Sequence, residues 1–345
     1  MTICWFGIYN PDFSRNKIYI EALKKAGHII IECRDNSRGL TKYFYLWEKH
    51  LIIRNNYDVM IVGYLGHIVV PFAKFISKKK VIVDALGSLY DAEINSHNPN
   101  FLRKIKSWLA DWLMVKFADK ILLESEAQKK FFEKKFGKSD KYEVVYTGAD
   151  EKFSRKSVKS ESGKGKFTVL FRGKLTPESG IMHILKAVKM LKENDNIRFS
   201  IVGSGYFLEK VVNFISEKKL ANVELISKFL PTEELIDKMG NANLMLGQFE
   251  NNPRLDRAIP HKAFEAFAMG IPYLTGDALA IREIAEDKVS AFFVPLADPQ
   301  TLASKMEFLS TRSKFLEQIA TRARKIFEEK FATTPLVERL LKIML

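Results

Sequence analysis

Short apolar runs alternate along this chain with segments in which apolar residues recur every three or four positions. Such alternation is typical of buried parallel strands joined by crossover helices. In the first half it predicts helices over residues 16–26 and 71–76 and strands at ICWFGIY, IIIECR, DVMIVGY, KVIVDA, KILLES and EVVYTG. In the second half it predicts helices near residues 182–191 and 207–218 and within IPHKAFEAFAMG, and strands at FTVLFRG, IRFSIVGSG, VELIS, LMLGQF, PYLTGD and AFFVP.

The same pattern predicts an α/β protein with two doubly wound, Rossmann-like domains, residues 1–150 and residues 167–332. Residues 151–166 are polar and basic without a period, which predicts a linker. Residues 333–345 have apolar positions at helical spacing. Ligands of doubly wound domains bind at the carboxyl ends of the strands, so we expect the functional residues at those ends.

Composition narrows the class of protein. With 47% hydrophobic and 28% charged residues the chain is typical of a folded protein, and no apolar run approaches the roughly 20 residues of a membrane span. We expect a cytoplasmic protein whose two cysteines, Cys4 and Cys33, are reduced and hold no metal. The net charge of +14 is shared by both halves, which argues against a nucleic-acid-binding stripe but leaves anionic membranes and phosphates as partners.

Two glycine turns in the second half follow predicted strands. In GKLTPESG a strand ends at Gly173, a loop carries Lys174, and a helix follows, so free backbone N–H groups and a cation meet in one place. VGSG at residues 202–205 is a similar turn and does not extend to a dinucleotide-binding fingerprint. An anion site is one interpretation of the first turn, and a tight turn with a solvated lysine is the other.

The segment IPHKAFEAFAMG sets two charged residues in an apolar helix. Lys262 and Glu265 fall on one side of it while Phe264 and Phe267 fall on another, so the charges need not be buried with the phenylalanines. Either the two charges form an ion pair on a surface helix, or Glu265 accepts hydrogen bonds from ribose hydroxyls while Lys262 meets a phosphate. The flanking strands put the start of the helix at the rim of the crevice, which favours the second alternative.

In the first half, His67 follows the strand DVMIVGY and Asp84 ends the strand KVIVDA. Both are expected at the crevice, where either side chain could orient an acceptor hydroxyl or a sugar. The structural alternative is that Asp84 and Ser88 cap a turn and that His67 is a core histidine.

The segment NFLRKIKSWLADWLMVKFADK predicts a basic amphipathic helix. Its Trp108 and Trp112 suit the interface of an anionic membrane, and KKFFEKKFGK downstream mixes phenylalanine with lysine in the same way. The alternative is that both helices pack their apolar stripes on the sheet and expose their lysines. A membrane-facing helix predicts a lipid-linked acceptor, whereas a packed helix favours a soluble acceptor.

Several segments of both halves resemble a known family. The segments GKLTPESGI, VGSG, FLPTEEL, ANLMLGQF, IPHKAFEAFAMGIPYLTGD and REIAED occur in the order seen in the donor domain of family 4 glycosyltransferases. GYLGHIVVPFAK, VIVDALGSLYDAEI and YTGAD resemble the acceptor domain of a bacterial and archaeal branch with an IPxKxxE donor motif. The resemblance implies the GT-B fold, with two Rossmann-like domains facing each other across a cleft and the last helix, residues 333–345, returning to the first.

The resemblance also implies site residues. Glu265 matches the second glutamate of the family's E-x7-E pattern, which binds the ribose, and Lys174 and Lys262 would stabilise the departing diphosphate. With His67 and Asp84 these three form the predicted catalytic set. Tyr90 and Asp91 would line the acceptor pocket, and Trp108 and Trp112 would contact membrane. The predicted donor-binding residues are Gly173, Lys174, Gly203, Phe229, Leu230, Arg257, His261, Lys262, Ala263 and Glu265.

Four positions depart from the family pattern. Arg257 stands where the first glutamate is expected, and Glu250 and Asp256 are the nearby candidates to position the donor sugar. Ser179 replaces a lysine common in relatives, so Arg172, Arg254 or Arg257 would add to the cationic charge. Ser96 and His97 stand where the acceptor motif usually has Asp-Arg.

The function implied is that of a retaining, metal-independent glycosyltransferase of the hexosyltransferase type. It would take a sugar from a UDP- or GDP-linked donor, without a cofactor, to a lipid-linked or glycan acceptor, and would work peripherally on the inner membrane face. The alternative is a non-catalytic GT-B-like subunit that binds a nucleotide or a partner, which the missing first glutamate motivates. No G-x-G-x-x-G follows the first strand, which disfavours a nicotinamide dehydrogenase.

Overall fold

A computed structural model describes residues 1–95, 99–155 and 165–345. The chain divides into two compact units, Met1–Gly148 with Thr333–Leu345, and Ala149–Ala332. We call them unit 1 and unit 2. Each is built around its own six-stranded sheet.

Unit 1 has a parallel sheet in the order β2-β1-β3-β4-β5-β6. A short 3-10 turn, His67–Val69, leads into its third helix. Its strands and helices are β1 Thr2–Gly7, α1 Ser14–Lys25, β2 Ile29–Arg34, α2 Thr41–Ile53, β3 Val59–Val62, α3 Val70–Ile76, β4 Val81–Leu86, α4 Leu89–Ile94, α5 Phe101–Phe117, β5 Lys120–Leu123, α6 Glu126–Phe136 and β6 Tyr142–Val144.

Unit 2 has a parallel sheet in the order β12-β11-β10-β7-β8-β9. Its elements are α7 Glu151–Arg155, β7 Phe167–Arg172, α8 Ile181–Met190, β8 Ile197–Val202, α9 Leu208–Glu217, β9 Val223–Ile226, α10 Thr232–Gly240, β10 Leu244–Leu246, α11 His261–Met269, β11 Tyr273–Gly276, β12 Phe292–Val294, α12 Pro299–Ser310 and α13 Ser313–Lys330. The chain then ends in α14, Thr333–Met344, which belongs to unit 1.

The sheet of unit 1 has a different helical layer on each face. On one face α1 and α14 pack through Leu23, Leu336 and Leu340 against strand residues such as Ile3 and Ile61. On the other face α2, α3, α5 and α6 share one core with the opposite side of the strands. We call this second set the α2–α6 layer.

The predicted strands are all present, and the predicted α/β class with two parallel sheets is confirmed. The predicted linker differs in part, because residues 151–155 form α7 within unit 2, while residues 156–164 lie outside the described residues. Among the described residues, the helices α2, α4, α7, α10, α12 and α13 were not predicted. In the described ranges no helix is both long and apolar enough to cross a bilayer.

Candidate functional site

The carboxyl ends of β7 and β10 adjoin in the sheet of unit 2, and the first turn of α11 lies against both. The Lys262 ammonium lies 4.0 Å from the centroid of the Phe171 ring, on β7. It also donates a hydrogen bond of 3.4 Å to the carbonyl of Gly247, the residue after β10. The start of α11 is therefore at the strand ends, where a doubly wound domain binds its ligand.

Every residue of α11 from Lys262 to Met269 is buried. Lys262 and Glu265 are therefore buried together with the phenylalanines, which helical periodicity did not require, and α11 packs against α7, α13 and β11. Phe264 makes an edge contact with Phe331 at 5.3 Å between ring centroids. The helix ends at Gly270, whose positive φ of 66° favours glycine.

Glu265 pairs with Arg172 and not with Lys262. The Arg172 guanidinium, at the end of β7, donates a hydrogen bond to Oε1 of Glu265. His261 lies one turn before Glu265, with its Nδ1 3.1 Å from the same oxygen but off hydrogen-bond geometry. Of the three arginines suggested by the sequence, Arg172 is the one that the structure brings to Glu265.

Several buried polar atoms in this cluster have no hydrogen-bond partner within the described residues. They are the second carboxylate oxygen of Glu265, Nε of Arg172, both ring nitrogens of His261 and the hydroxyl of Tyr273. Buried polar groups are rarely left unpaired, because each costs about 1–3 kcal/mol. A polar ligand with both donors and acceptors would satisfy this cluster, which we call the Glu265 cluster.

The two charged residues of α11 have shifted pKa values. Burial lowers the pKa of Lys262 to about 7, and repulsion from Arg172 adds to this effect, while Glu265 opposes it. Burial alone would raise the pKa of Glu265, but the charges of Arg172 and then His261 outweigh it and lower that pKa. Glu265 is thus an anion, whereas Lys262 is poised to take up a proton when an anion binds beside it.

The predicted glycines form a close backbone contact beside this cluster. A Cβ on Gly203 would lie 1.9 Å from the carbonyl oxygen of Gly173, so only glycine fits. A Cβ on Gly173 would lie 3.0 Å from the Lys262 ammonium, which shows that the loop backbone borders Lys262. Lys174 is exposed, and Ser179 is buried with its hydroxyl bonded to the carbonyl of Thr176 at 2.6 Å.

The other predicted donor residues lie around this cluster at different strand ends. Ala263 is buried in α11, and Arg257 is partly buried in the segment between β10 and α11. Leu230 is buried and Phe229 is 92% exposed on the loop after β9, an edge strand that β8 separates from β7. The Glu250 carboxylate lies 3.4 Å from Nε2 of His183, on α8.

In unit 1 the carboxylate of Asp84 is fully buried and paired. Arg15 Nε donates to its two oxygens at 2.8 and 3.0 Å, and Arg15 Nη1 donates to the carbonyl of Val145 at 2.8 Å. Burial raises the pKa of Asp84, against the lowering effect of Arg15. These contacts give Asp84 a structural partner, which is not the turn cap that the sequence offered as an alternative.

His67 is also fully buried, and its Nε2 lies 3.0 Å from the carbonyl oxygen of Gly87, after β4. Asp111 of α5 lies 3.9 Å from Nε2 of His67 and accepts a hydrogen bond of 2.6 Å from Ser88. The other ring nitrogen of His67 has no partner in the part of the chain that the structure describes. Within the described residues His67 thus has one ring nitrogen without a hydrogen-bond partner, whereas both Asp84 oxygens accept hydrogen bonds.

The predicted acceptor residues lie on α4, which Ser88 caps by accepting a hydrogen bond from the Asp91 amide. Asp91 is buried and accepts a hydrogen bond of 2.8 Å from Asn95. Tyr90 is partly buried, with the Lys135 ammonium 5.7 Å from its ring centroid. Ser96 and His97, where the acceptor motif departs from its usual form, lie outside the described residues.

Comparison with known proteins shows the family. The model of the family described as glycosyl transferases group 1 matches residues 152–326, about half of the chain. This chain belongs to the glycosyl transferases group 1 family. The match covers the whole Glu265 cluster.

Two curated relatives of this family member are named for polysaccharide synthesis. The putative colanic acid biosynthesis glycosyltransferase WcaL of Salmonella typhimurium is 28% identical over 196 residues, which cover 56% of this chain and 48% of WcaL. The amylovoran biosynthesis glycosyltransferase AmsK of Erwinia amylovora is 26% identical over 170 residues, covering 47% of this chain and 40% of AmsK. The chain spans about half the length of the curated relatives it matches.

The family member is also similar in structure to HepE of Anabaena, solved in complex with UDP. The TM-score is 0.77 at 16% identity, with 99% of each chain covered. HepE has been solved with UDP-glucose as well. At this identity the likeness shows the fold alone, and it confirms the predicted GT-B fold class.

The predicted membrane helix α5 exposes its apolar stripe. Trp108 and Trp112 are 42% and 38% exposed, and their stacked rings lie 6.4 Å apart. The core contacts of α5 come from its opposite side, through Ala110, Asp111 and Met114. The helix α6 instead packs its apolar residues on the sheet, because Phe132 is buried and Phe131 and Phe136 pack against the core.

Two features of this family member were missed in the sequence. Arg15 has no local signal, because its partner Asp84 is distant in sequence and only the fold joins them. Asp111 stood inside the amphipathic pattern of α5, where a single acid on the inner side suggested no role. For Asp111 the available signal was an acidic residue at a core position of a helix.

Proposed function

We propose that this protein is a retaining, metal-independent glycosyltransferase that takes a hexose from a UDP- or GDP-linked donor. The acceptor is a lipid-linked or growing glycan at the cytoplasmic membrane face, in polysaccharide, glycolipid or glycoprotein glycan assembly. The observation that carries the proposal is the Glu265 cluster, whose unpartnered buried atoms lie at the strand ends. The names of WcaL and AmsK and the UDP and UDP-glucose complexes of HepE support it.

In this proposal Glu265 accepts hydrogen bonds from the ribose hydroxyls through its free oxygen. Arg172 keeps the carboxylate ionised and oriented, since it already binds the other oxygen. Lys262 and the exposed Lys174 meet the diphosphate, together with the backbone N–H groups of the loop after β7. A bound diphosphate favours the charged form of Lys262, so its lowered pKa rises on binding.

The reaction breaks the bond between the anomeric carbon and the β-phosphate oxygen. The acceptor hydroxyl oxygen forms its bond to that carbon on the same face, and its proton passes to the departing phosphate. Negative charge grows on the diphosphate as the bond breaks, and cations already fixed beside it lower the barrier. In this proposal Lys262 and Lys174 stabilise that charge in place of a metal ion.

Unit 1 supplies the acceptor side in this proposal. Tyr90 and Asp91 on α4 line the acceptor pocket, and His67 offers its free ring nitrogen to an acceptor hydroxyl or to the sugar. The exposed Trp108 and Trp112 of α5 insert at the membrane surface. A helix that brings the enzyme to lipid brings it to a lipid-linked acceptor.

The test is transfer of radiolabelled hexose from UDP- and GDP-sugars to lipid-linked acceptors, with and without EDTA. We expect transfer from one nucleotide class, unchanged by EDTA, with the anomeric configuration retained in the product. Lys262→Met should lower kcat about 100-fold or more, because it removes a leaving-group cation. Nucleotide binding without transfer to any acceptor would support the non-catalytic subunit instead.

A further inference from the structure

The exposed apolar surface of unit 1 is larger than α5. In α2 the core contacts come from Leu46 and His50, with Tyr43 and Ile53 packed beside them. The opposite side of α2 exposes large apolar residues at 40% or more of their surface, namely Leu40, Phe44, Tyr45, Trp47, Leu51 and Ile52.

The outward stripes of α2 and α5 have the same spacing. The α2 stripe begins at Leu40, the residue just before the helix, and continues through Phe44, Trp47 and Leu51. The α5 stripe is Phe101, Ile105, Trp108 and Trp112, and both have the spacing i, i+4, i+7 and i+11. On a helix this spacing keeps the side chains on one side. Two helices of one layer therefore each hold an apolar stripe away from the core.

The segment between these helices continues the surface. The 3-10 turn and α3 pack against α5, and they contact α2 through an edge contact of 5.2 Å between the rings of Tyr43 and Phe72. Ile68 and Phe75 of this segment are 44% and 87% exposed. These elements pack on the same side of the sheet of unit 1, and each of them exposes apolar residues. Monomeric proteins rarely expose a large contiguous apolar patch without a partner.

The charges on this face select the partner. Residues 38–54, 70–80 and 101–117 contain only two acids, Glu48 and Asp111, and Asp111 is buried. Most of the basic residues are free of ion pairs within the described residues: Arg38, Lys42, Arg54, Lys78, Lys79, Arg103, Lys104, Lys106 and Lys116. Apolar and aromatic stripes bordered by unpaired cations match the interface of an anionic bilayer.

We infer that α2 and the 3-10 turn with α3 form a second membrane-binding element beside α5. Unit 1 then lies on anionic lipid along two helices, and phospholipid headgroups contact the lysines between them. The inference rests on the proposed function for the membrane role of α5. The contribution of α2 follows from its own exposed residues and charges.

The tryptophans provide a direct test. The chain has four, of which Trp5 is fully buried and Trp47, Trp108 and Trp112 are exposed. In the variant Trp108→Phe with Trp112→Phe, Trp47 is the only exposed tryptophan. We expect its emission to shift to the blue on adding phosphatidylglycerol vesicles and to be quenched by brominated lipid, with Trp5 as the unquenched reference.

Affinity is measured by flotation with the same vesicles. We expect Leu40→Gln, Phe44→Gln and Leu51→Gln together to weaken vesicle binding at least about tenfold. The matched control changes three exposed apolar residues of unit 2, Met190→Gln, Val212→Gln and Phe308→Gln, and should bind as the wild type does. Pure phosphatidylcholine vesicles should bind less of the wild type.

Two results would overturn the inference. In the first, brominated lipid does not quench Trp47 in the Trp108→Phe, Trp112→Phe variant but does quench Trp108 and Trp112 in the Trp47→Phe variant. Membrane contact would then be confined to α5. In the second, the wild type does not bind vesicles but forms a dimer, and the variant with Leu40→Gln, Phe44→Gln and Leu51→Gln does not. The exposed face would then be a protein interface. If brominated lipid quenches Trp47 but no nucleotide raises the Tm, the membrane inference is supported and the proposed function is contradicted.

Discussion

Arg172 at the end of β7 donates a hydrogen bond to Glu265 in the middle of the buried helix α11. This pair joins the strand end to the helix and leaves one carboxylate oxygen and one guanidinium nitrogen unpartnered within the described residues. The same carboxylate therefore has a structural partner and a free atom for a ligand. The site that we propose for the nucleotide is built around this pair.

Removing one partner of the Arg172–Glu265 pair should lower the free energy of unfolding more than removing both partners. Arg172→Met leaves the Glu265 charge buried without its cation, and we expect a loss of roughly 3 kcal/mol in the free energy of unfolding. Combining it with Glu265→Met should recover most of that loss, because no uncompensated charge remains. Urea unfolding of the wild type, Arg172→Met, Glu265→Met and the double variant checks this prediction. Additive losses in the double variant would show that the two side chains are not coupled.

Lys262 should make stability depend on pH. Its pKa is lowered from 10.5 to about 7 in the fold. Between those values the unfolded chain holds a proton that the folded chain lacks, so raising the pH stabilises the fold by roughly 1.4 kcal/mol per pH unit. Below pH 7 both states are protonated and the dependence disappears. The difference between wild type and Lys262→Met, unfolded in urea at pH 6, 7.5 and 9 without nucleotide, measures it. An equal difference at all three values would contradict the lowered pKa.

Gly203 should tolerate no side chain. The alanine Cβ in Gly203→Ala would lie 1.9 Å from the carbonyl of Gly173, so the loop beside Lys262 must move. We expect a loss of about 2 kcal/mol or more in unfolding free energy and weaker nucleotide binding. Gly165→Ala is the matched control, because nothing lies within 4 Å of its Cβ. Equal stability of the two variants would disprove the close contact.

The Arg15–Asp84 pair should be structural. Asp84→Asn leaves the Arg15 charge without its anion in a fully buried site, and we expect a loss of about 3–5 kcal/mol. Arg15→Met with Asp84→Asn should regain much of the stability and also transfer activity. If the double variant had normal stability but no activity, Asp84 would have the catalytic role that its predicted place at the end of a strand suggested.

The strands and the parallel sheets could be predicted because apolar runs and glycine turns are local signals. The donor segment with Lys262 and Glu265 was also found, since a charged pair in an apolar helix is visible in the sequence. The burial of this helix was not predicted, because helical periodicity describes one element and cannot show that α7, α13 and β11 pack against it. The choice of Arg172 as the partner of Glu265 likewise depends on which strand end lies beside α11.

The surface of unit 1 shows the same limit. The amphipathic pattern of α5 was recognised, but the pattern does not say which side faces the core. In α5 a small residue and a buried acid, Ala110 and Asp111, face the core, and the aromatic stripe faces outward. In α6 the phenylalanines face inward. The helix α2 was missed because apolar residues on both of its sides blur its period.

The most direct test of a nucleotide site at the Glu265 cluster is thermal unfolding with UDP, GDP and their hexose conjugates, in the absence of metal. A nucleotide at about 100 times its Kd should stabilise the folded state by about 2.7 kcal/mol, which is a shift of several degrees in Tm. We expect one base to raise the Tm of the wild type and of the control Glu209→Gln, an exposed position on α9. Glu265→Gln should abolish the shift. No shift with any nucleotide, or an equal shift in Glu265→Gln, would contradict a nucleotide site at the Glu265 cluster.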